Sequence, residues 1–410
     1  MATRPETSYS RTSMTPSWNS ALLAHLQELA AAQGFSATSV AAVPDPSASE
    51  GRLSAERFTA WVDAGRSAEM QYLERRNDAG ELLRASARTA MPWARSVLVC
   101  ALNYNLGGPT GPAPRSIDPA ATTSGWIAKY AWTGEILGDE QVRPADYHDD
   151  MFRRLRAVEA WLRDQVDCQT RCYVDTGPLL ERDFAARAGI GWIGKNTCVI
   201  NQGLGSWILL GVIVTSLPME LAVTLAPDRC GTCTRCIDAC PTDALILPTP
   251  EDPTRQMDAS LCIAYLTIEK KREIPVELRE KMGRQVFGCD ICQDVCPWNR
   301  RTPIAGIPGL VRRDELINPA LDWLANLDPS TFKQHFAGSP LERTKRKRLH
   351  RNVAIAMGNS GDPTYVSKLK EWTHTDDPVL RDSAAWALER LLPPAESAPS
   401  ASIEELPELP

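Results

Sequence analysis

The chain has 410 residues, 43% of them hydrophobic and 23% charged, which is the composition of an ordinary globular protein of two or three domains. No run of about 18 apolar residues occurs, so we expect no membrane span. The formal net charge of −6 argues against binding of a polyanion by the whole surface, although it allows a local basic patch. Residues 1–16 are rich in Ser and Thr and predict a disordered tail without an export signal, so we expect a cytoplasmic protein.

Helical and strand patterns alternate over residues 17–225, which predicts an α/β domain. Within it, residues 105–125 are dense in Gly, Pro, Ser and Thr and predict a long loop. Apolar residues at helical spacing predict helices, and continuous apolar runs predict buried strands. The predicted helices span 18–33, 55–76 and 150–163, and the predicted strands span 36–43, 96–102 and 206–215.

Three glycines, Gly189, Gly191 and Gly194, form a G-x-G-x-x-G pattern near the end of this domain. In a dinucleotide site the pattern lies between a strand and a helix, with an acidic residue about 20 residues later. Here Lys195 and Asn196 follow, and no carboxylate occurs through residue 216. We therefore predict a tight loop that approaches a flat ligand, not a nicotinamide dinucleotide site.

A dense cysteine motif follows, and it predicts a domain over residues 226–305 that binds two iron–sulfur clusters. The first run has the C-x2-C-x2-C-x3-C-P spacing of bacterial ferredoxins, in which the fourth thiolate binds the second cluster. A second run repeats the later half of that spacing and ends at Pro297, and its missing first cysteine is assigned to Cys262. Ferredoxin topology then predicts that the first 4Fe–4S cluster is bound by Cys230, Cys233, Cys236 and Cys296, and the second by Cys240, Cys262, Cys289 and Cys292.

Zinc and disulfides are the alternatives for these cysteines. Zinc sites usually consist of two cysteine pairs separated by a longer loop, and disulfides fit poorly with a chain that shows no secretory signal. Four cysteines lie outside the motif, and we expect them to be buried structural thiols: Cys100, Cys168, Cys172 and Cys198.

The segment 306–392 is helical in pattern almost throughout. Two Asp-Pro breaks, at Asp362-Pro363 and Asp377-Pro378, punctuate it, and the pattern resembles HEAT-type helical repeats. Residues 393–410 are rich in Pro, Ser and Glu and predict a disordered acidic tail. We therefore expect an all-α, HEAT-like C-terminal domain behind the cluster domain.

Together these motifs resemble the epoxyqueuosine reductase family over about residues 17–392. A looser resemblance is to reductive dehalogenases. The stretches that carry the main resemblance are Asp146-Tyr-His148, Val174-Asp-Thr-Gly-Pro178, the glycine loop 189–196, Gly205-Ser-Trp207, both cysteine runs, and Cys262 with Thr267-Ile-Glu269. Compared with this family, the segment 105–145 is long and suggests a surface insertion.

The resemblance implies a base-off cobalamin in the α/β domain, beside the nearer cluster. The D-x-H-x-x-G signature of a histidine-ligated cobalamin would need glycine at 151, where Met151 stands, so no such histidine ligand is expected. The implied reaction reduces epoxyqueuosine to queuosine at the wobble position of tRNA with a GUN anticodon. The resemblance leaves the electron donor unnamed, and we expect a monomer.

The resemblance also implies roles for individual residues. Asp175 is the expected proton donor, with its pKa raised by burial beside the corrin ring, while the alternative is a carboxylate that merely caps a turn. The resemblance places Asp146 and His148 beside the active site without a definite role, and the alternative for these two residues is an ordinary helix N-cap. The expected cobalamin contacts are Asp175, Lys195, Asn196, Gly288, Cys289 and Met70.

Basic residues at the start of the helical segment predict tRNA phosphate contacts, although a solvated helix end has the same pattern. The expected contacts are Arg346, Lys347, Arg348 and Arg351, with Arg343 and Lys345 in the same run, and a second patch at Lys270 and Lys271. Two rival functions remain open at this point. One is a reductase of a small molecule, and the other is a non-catalytic electron-transfer protein.

Overall fold

The computed structural model describes residues 16–111, 123–138, 141–250 and 253–392. The tails expected at 1–16 and 393–410 lie outside these ranges except for Pro16. Within the described residues, every helix is too short or too polar to cross a bilayer.

Strands and helices alternate through the first half of the chain, and helices dominate its last quarter. The α-helices are α1 (Ser20–Ala32), α2 (Ser49–Asp63), α3 (Ala87–Ala90), α4 (Tyr147–Gln165), α5 (Glu181–Arg187), α6 (Arg235–Asp238), α7 (Ile263–Ile268), α8 (Val276–Arg279), α9 (Ile291–Asp294), α10 (Leu321–Ala325), α11 (Pro329–Phe336), α12 (Lys345–Ser360), α13 (Val366–Trp372) and α14 (Pro378–Leu391). The strands are β1 (Ala37–Ala42), β2 (Ser96–Asn103), β3 (Trp126–Ile127), β4 (Thr133–Ile136), β5 (Val142–Pro144), β6 (Thr170–Tyr173), β7 (Trp192–Ile193), β8 (Val199–Ile200), β9 (Ile208–Thr215), β10 (Leu245–Ile246), β11 (Gln256–Met257), β12 (Gln285–Phe287) and β13 (Leu310–Arg312).

The central sheet has the strand order β1-β2-β9-β6, and every pairing in it is antiparallel. The long pair β2 and β9 matches Ser96 with Thr215 and Asn103 with Ile208. The strands predicted over 96–102 and 206–215 are therefore confirmed. Because the pairing is antiparallel, this is a mixed domain of α and β elements and not a doubly wound parallel sheet.

Helices cover both faces of this sheet. On one face α1 and α4 pack their apolar sides against it, with Leu26 and Leu155 in the same cluster as Ile213. On the other face Phe184 of α5 packs with Val212. The packing of these helices on the sheet fixes the positions at which α4 and α5 begin. Both helices begin on the side of the sheet that faces the cluster segment.

The helical segment shares a hydrophobic core with the middle of the chain. Trp126, Trp132 and Phe287 lie in one buried cluster with residues of α10 to α14. The surface insertion expected over 105–145 is therefore wrong for residues 124–134, which include two fully buried indole rings, whereas residues 136–138 are exposed. Residues 112–122 and 139–140 of that segment lie outside the described ranges.

Close packing of α12 against α14 organises the C-terminal helices. A Cβ on Gly358 would lie 2.8 Å from the Cα of Ala387, so only glycine allows this approach. The second Asp-Pro break begins α14, where the Asp377 carboxylate accepts hydrogen bonds from the backbone of Val379 and Leu380. The helical content agrees with the sequence pattern, and the HEAT-like description stays a prediction.

Candidate active site

The two cysteine runs form short helices, α6 and α9, which pack against each other. Burial, together with the thiols of Cys230 and Cys296, raises the pKa of Cys236 to about 11. The Cys230 and Cys233 thiols also act on Cys296. The four cysteines predicted for the first cluster thus lie together, although they come from both runs.

The second predicted set also converges. Burial raises the pKa of Cys289, with added contributions from Cys262 and Cys240. Cys262 and Cys289 lie near Cys292 in turn. Among the described residues, no three potential ligands close around a single metal ion. Cubane clusters do not need that closeness, because each thiolate binds a different iron.

Cys198 was predicted to be a buried structural thiol without a link to the clusters. Its side chain forms a hydrogen bond with Cys292, and this contact, followed by burial, raises the pKa of the Cys292 thiol. A neighbour of a cluster ligand therefore lies in the chain long before either cysteine run. No spacing rule in the sequence points to this contact.

Lys195 and Asn196 brace the cluster loops. The Lys195 ammonium donates to the backbone carbonyls of Gly231 at 2.8 Å and Cys233 at 3.0 Å. The Asn196 amide donates to the Cys292 carbonyl at 3.4 Å, and the residue is only 3% exposed. Neither side chain lines the large cavity described below, and the expected cofactor contacts at these two positions stay predictions. Their polar groups are already used in holding the cluster loops.

A cavity of about 2220 Å³ opens between the sheet domain, the cluster segment and the start of the helical segment. Typical sites for small ligands reach roughly 1,000 Å³, so this cavity can hold a much larger group. Its walls include an aspartate, a cluster cysteine and residues from all three parts of the chain, among them Asp175, Cys262, Tyr147, Met70, Glu181 and Arg343.

Asp175 projects into this cavity from a strained turn after β6. Its backbone φ of +62° lies in the left-handed region, which is uncommon outside glycine. The Tyr147 hydroxyl donates a hydrogen bond of 3.0 Å to its Oδ2 atom. The Arg84 guanidinium, which also lines the cavity, donates to the Asp175 backbone carbonyl at 3.3 Å and stabilises the turn. The side chain itself is 68% exposed to the cavity.

Asp146 caps α4 and also joins it to the helical segment. Its Oδ1 atom accepts the backbone N–H of His148 at 2.9 Å, which confirms the N-cap alternative. Its Oδ2 atom accepts a hydrogen bond of 2.8 Å from Arg343, which also contacts the His148 ring. Burial opposes ionisation, but the hydrogen bonds from His148 and the charge of Arg343 hold the pKa of Asp146 below its usual value.

Glu181 is one of several carboxyl groups in the cavity wall, and it lies at the start of α5. Burial, and then the nearby negative charge of Asp175, raise its pKa to about 7. Its Oε1 atom is buried and has no hydrogen-bond partner among the described residues. The sequence assigned this residue no role, because nothing in its local pattern shows that it faces Asp175.

Two family models match the chain. One describes a 4Fe-4S double cluster binding domain and matches residues 229–299. The other is described as Epoxyqueuosine reductase QueG, DUF1730, and matches residues 84–176. The epoxyqueuosine reductase of Synechocystis sp. is 39% identical over 318 residues, covering 75% of this chain and 96% of that protein. The chain belongs to the epoxyqueuosine reductase family.

Other relatives and solved structures agree with this family. The epoxyqueuosine reductase of Xanthomonas campestris is 41% identical over 245 residues, covering 59% of this chain and 67% of that protein. A crystal structure of an epoxyqueuosine reductase with an epoxyqueuosine-modified tRNA-Tyr stem loop superposes with a TM-score of 0.74 at 30% identity, over 90% of both chains. The Bacillus subtilis enzyme, with a catalytic loop swung out of the active site, gives 0.73 at 30% identity, over 92% of this chain and 91% of that one. As a member of this family, the chain is an oxidoreductase.

The remaining predicted cofactor contacts are Met70, Gly288 and Cys289, and the structure shows where each of them lies. Met70 lines the cavity, and the Tyr72 hydroxyl lies 3.2 Å from its sulfur, so this position stays a predicted contact. Gly288 is buried, and a Cβ there would lie 2.6 Å from the Cβ of Ala128. This close approach is to another part of the chain, and the expected approach of Gly288 to the cofactor stays a prediction. Cys289 belongs to the second cluster set and does not line the cavity.

The predicted tRNA contacts divide into exposed and internal residues. Arg351 is fully buried and donates to the backbone carbonyls of Leu266 and Lys270, so the prediction that it contacts tRNA is wrong. Arg348 donates to the Thr344 carbonyl at 2.7 Å. An ion pair joins Lys270 to Glu69 at 3.0 Å. Exposed side chains remain at Lys271 and Lys347, and Arg346 is partly exposed.

Proposed function

We propose that this chain reduces epoxyqueuosine to queuosine at the wobble position of tRNA with a GUN anticodon, using a base-off cobalamin and two 4Fe–4S clusters. One observation carries the proposal: Cys262 of the second cluster set and Asp175 line the same cavity. A path for electrons and a source of protons therefore meet where a large ligand can bind.

The residues of the cavity fit a large, flat cofactor. The volume exceeds what the nucleoside alone needs, and Met70 and aromatic side chains supply apolar contact. The single histidine in the wall, His148, is bonded to Asp146 and Arg343, and Met151 is buried in the core. Both observations favour cobalamin held without a histidine ligand. When bound, cobalamin supplies a metal centre that collects single electrons and delivers them as a pair.

Asp175 donates the proton that the epoxide oxygen needs. Opening the epoxide and removing its oxygen consumes two electrons and two protons and produces an alkene and water. The protein alone leaves most of this carboxyl exposed, so its burial must come from the bound cofactor and nucleoside. Tyr147 holds the carboxyl in position through its hydrogen bond to Oδ2.

The anticodon loop approaches across the start of α12. Arg346 and Lys347 lie there, and Lys271 lies on the neighbouring loop after α7. Recognition of single-stranded RNA loops commonly splays one base into a pocket while phosphates are held by basic side chains. The wobble nucleoside then enters the cavity past Arg343, which stands at its wall.

A plain electron-transfer protein needs no cavity of this size with a strained aspartate, so the structure favours an enzyme. A reductase of a small molecule would leave the exposed basic residues of α12 without a role. Reductive dehalogenase structures superpose with TM-scores of only 0.39 to 0.40, and this likeness carries no argument about function.

The test is reconstitution of the reaction. The protein is purified anaerobically, loaded with cobalamin and iron, and given a chemical reductant and a stem loop carrying epoxyqueuosine. Nucleoside mass spectrometry then follows formation of queuosine, with protein lacking cobalamin as the control. Absence of queuosine from the fully loaded protein would overturn the proposed function.

A further inference from the structure

Glu181 lies where a second proton can be stored for the reaction. Glu181 is the first residue of α5 and follows the Val174-Asp-Thr turn, which holds Asp175, by five residues. Both side chains line the cavity. The two carboxyl groups are near enough for the charge of Asp175 to act on Glu181. The buried Oε1 atom has no hydrogen-bond partner within the described part of the chain.

A buried carboxylate with one unpartnered oxygen is costly, so the neutral form is favoured there, although a backbone hydrogen bond within Glu181 opposes this effect. The charged groups that act on Glu181 are Asp175, Arg84 and Arg182. The two arginines oppose the shift, but burial and Asp175 outweigh them and leave the pKa near 7. At neutral pH a substantial fraction of Glu181 therefore carries a proton that it can release.

We propose that Glu181 is the proton reservoir that reloads Asp175 during each turnover. The proposal rests on the proposed function and deepens it. The reaction needs two protons, but a single carboxyl group holds only one. In the first transfer Asp175 gives its proton to the oxygen of the opening epoxide, and the carboxylate then takes a second proton from Glu181.

Both protons that the reaction consumes are then accounted for. The reloaded Asp175 protonates the departing hydroxyl oxygen, the carbon–oxygen bond breaks, and water leaves. The two electrons come from the reductant through the clusters. After the product departs, Asp175 and Glu181 each regain one proton from solvent. Glu181 acts through Asp175 and never needs to touch the substrate.

The first experiment compares Glu181→Gln with the wild type and with Glu28→Gln, the same change on the exposed side of α1. We expect kcat to fall by about 10- to 100-fold, less than the roughly 10²- to 10⁴-fold typical of a direct general acid, because Glu181 acts through Asp175, while the KM for the stem loop stays within about twofold. The wild-type kcat should fall as pH rises through about 7, and this limb should be absent in Glu181→Gln. Glu181→Asp should recover part of the rate.

A second measurement needs no turnover. Difference infrared spectroscopy of the anaerobic protein without RNA should show a protonated carboxyl band that titrates near pH 7 and is lost in Glu181→Gln. A variant that keeps the wild-type kcat and alkaline limb, or that loses rate only because it loses cobalamin or iron, overturns the reservoir. If the wild type itself makes no queuosine, the proposed function fails, while the infrared titration still decides the state of Glu181.

Discussion

Asp175 adopts a backbone conformation that most residues avoid, and several contacts hold it there. Left-handed geometry costs a non-glycine residue roughly 1–2 kcal/mol, so the surrounding structure has to impose it. The Arg84 guanidinium binds its carbonyl, and the Tyr147 hydroxyl binds its carboxylate. Strain of this kind concentrates at functional sites, where it aims a side chain that relaxed geometry would not present.

Replacing Asp175 with asparagine tests its role as proton donor. The amide keeps the shape and can still accept a hydrogen bond from Tyr147, but it cannot give up a proton at neutral pH. We expect queuosine formation to fall by about 10²- to 10⁴-fold, the usual contribution of a general acid. Iron and corrin content should match the wild type by absorption spectroscopy. Retention of more than a tenth of the wild-type rate would contradict this role.

Glu181 should make stability depend on pH, because its pKa is about 7 in the folded protein and 4.5 for the ordinary side chain. Between these values the folded protein holds the proton more tightly than the unfolded chain. The free energy of unfolding therefore falls as pH rises through that window and stays low above it. We expect Glu181→Gln to reduce this dependence, to which the raised pKa values of Asp290 and Asp294 also contribute, and to raise stability at pH 8 by about 1–3 kcal/mol.

The measurement is urea unfolding of matched, cofactor-free samples from pH 4.5 to 8, with Glu28→Gln as the control. Parallel curves for Glu181→Gln and the wild type would show that burial does not perturb this carboxyl group.

At the scale of elements, the hairpin of β7 and β8 supports the first cluster loop. The glycine pattern before it predicted a tight loop near a flat ligand. Gly191 does line the cavity, but a Cβ there would lie 2.3 Å from the Ile200 carbonyl, so the tightness serves the hairpin itself. The Trp192 ring packs edge-on against Trp298 at 5.1 Å, beside the buried Cys296.

Lys195→Met should loosen one cluster and spare the other. The change removes two hydrogen bonds to the carbonyls of Gly231 and Cys233 while keeping the length of the side chain. We expect iron to fall from about eight towards about four atoms per chain during a chelator challenge, since each cluster contains four. Lys333→Met, on the exposed side of α11, is the control. Equal loss from both proteins would contradict a bracing role.

At the scale of the whole molecule, the cluster segment and the C-terminal helices form one packed body. The Asn352 amide of α12 donates to the carbonyls of Thr267 and Val286, and Arg351 beside it binds three further carbonyls. Arg343 then ties the start of the same region to Asp146 at the cavity wall. The basic surface is therefore held at a fixed distance from Asp175.

The basic residues of α12 should differ in their effect on tRNA binding, because some are exposed and others are buried. Alanine at both Arg346 and Lys347 should weaken binding of the stem loop, increasingly so at low salt, and should leave stability and cofactor absorption unchanged. Titration of labelled stem loop by fluorescence anisotropy measures this effect. Undiminished affinity would remove these residues from the RNA interface.

Arg351→Met is the counterpart at a buried position. It leaves three carbonyls without their donor, and we expect a loss of about 2–4 kcal/mol in unfolding free energy. RNA binding per folded molecule should stay unchanged, because the guanidinium cannot reach solvent.

Much of this molecule is determined by local sequence. Cysteine spacing predicted both ligand sets, because a cluster needs thiolates at short, regular intervals, and the apolar runs predicted β2 and β9. The role of Asp175 was implied by the family resemblance of the Val174-Asp-Thr-Gly-Pro178 stretch, and it stays a prediction. Tertiary structure alone decided which polar groups are already satisfied. The sequence predicted ligand contacts at Lys195, Asn196 and Arg351. In the structure, each of these side chains binds backbone carbonyls of distant segments. The same long-range packing placed Glu181 beside Asp175 and buried Trp126, since burial and partners depend on contacts that no local pattern encodes.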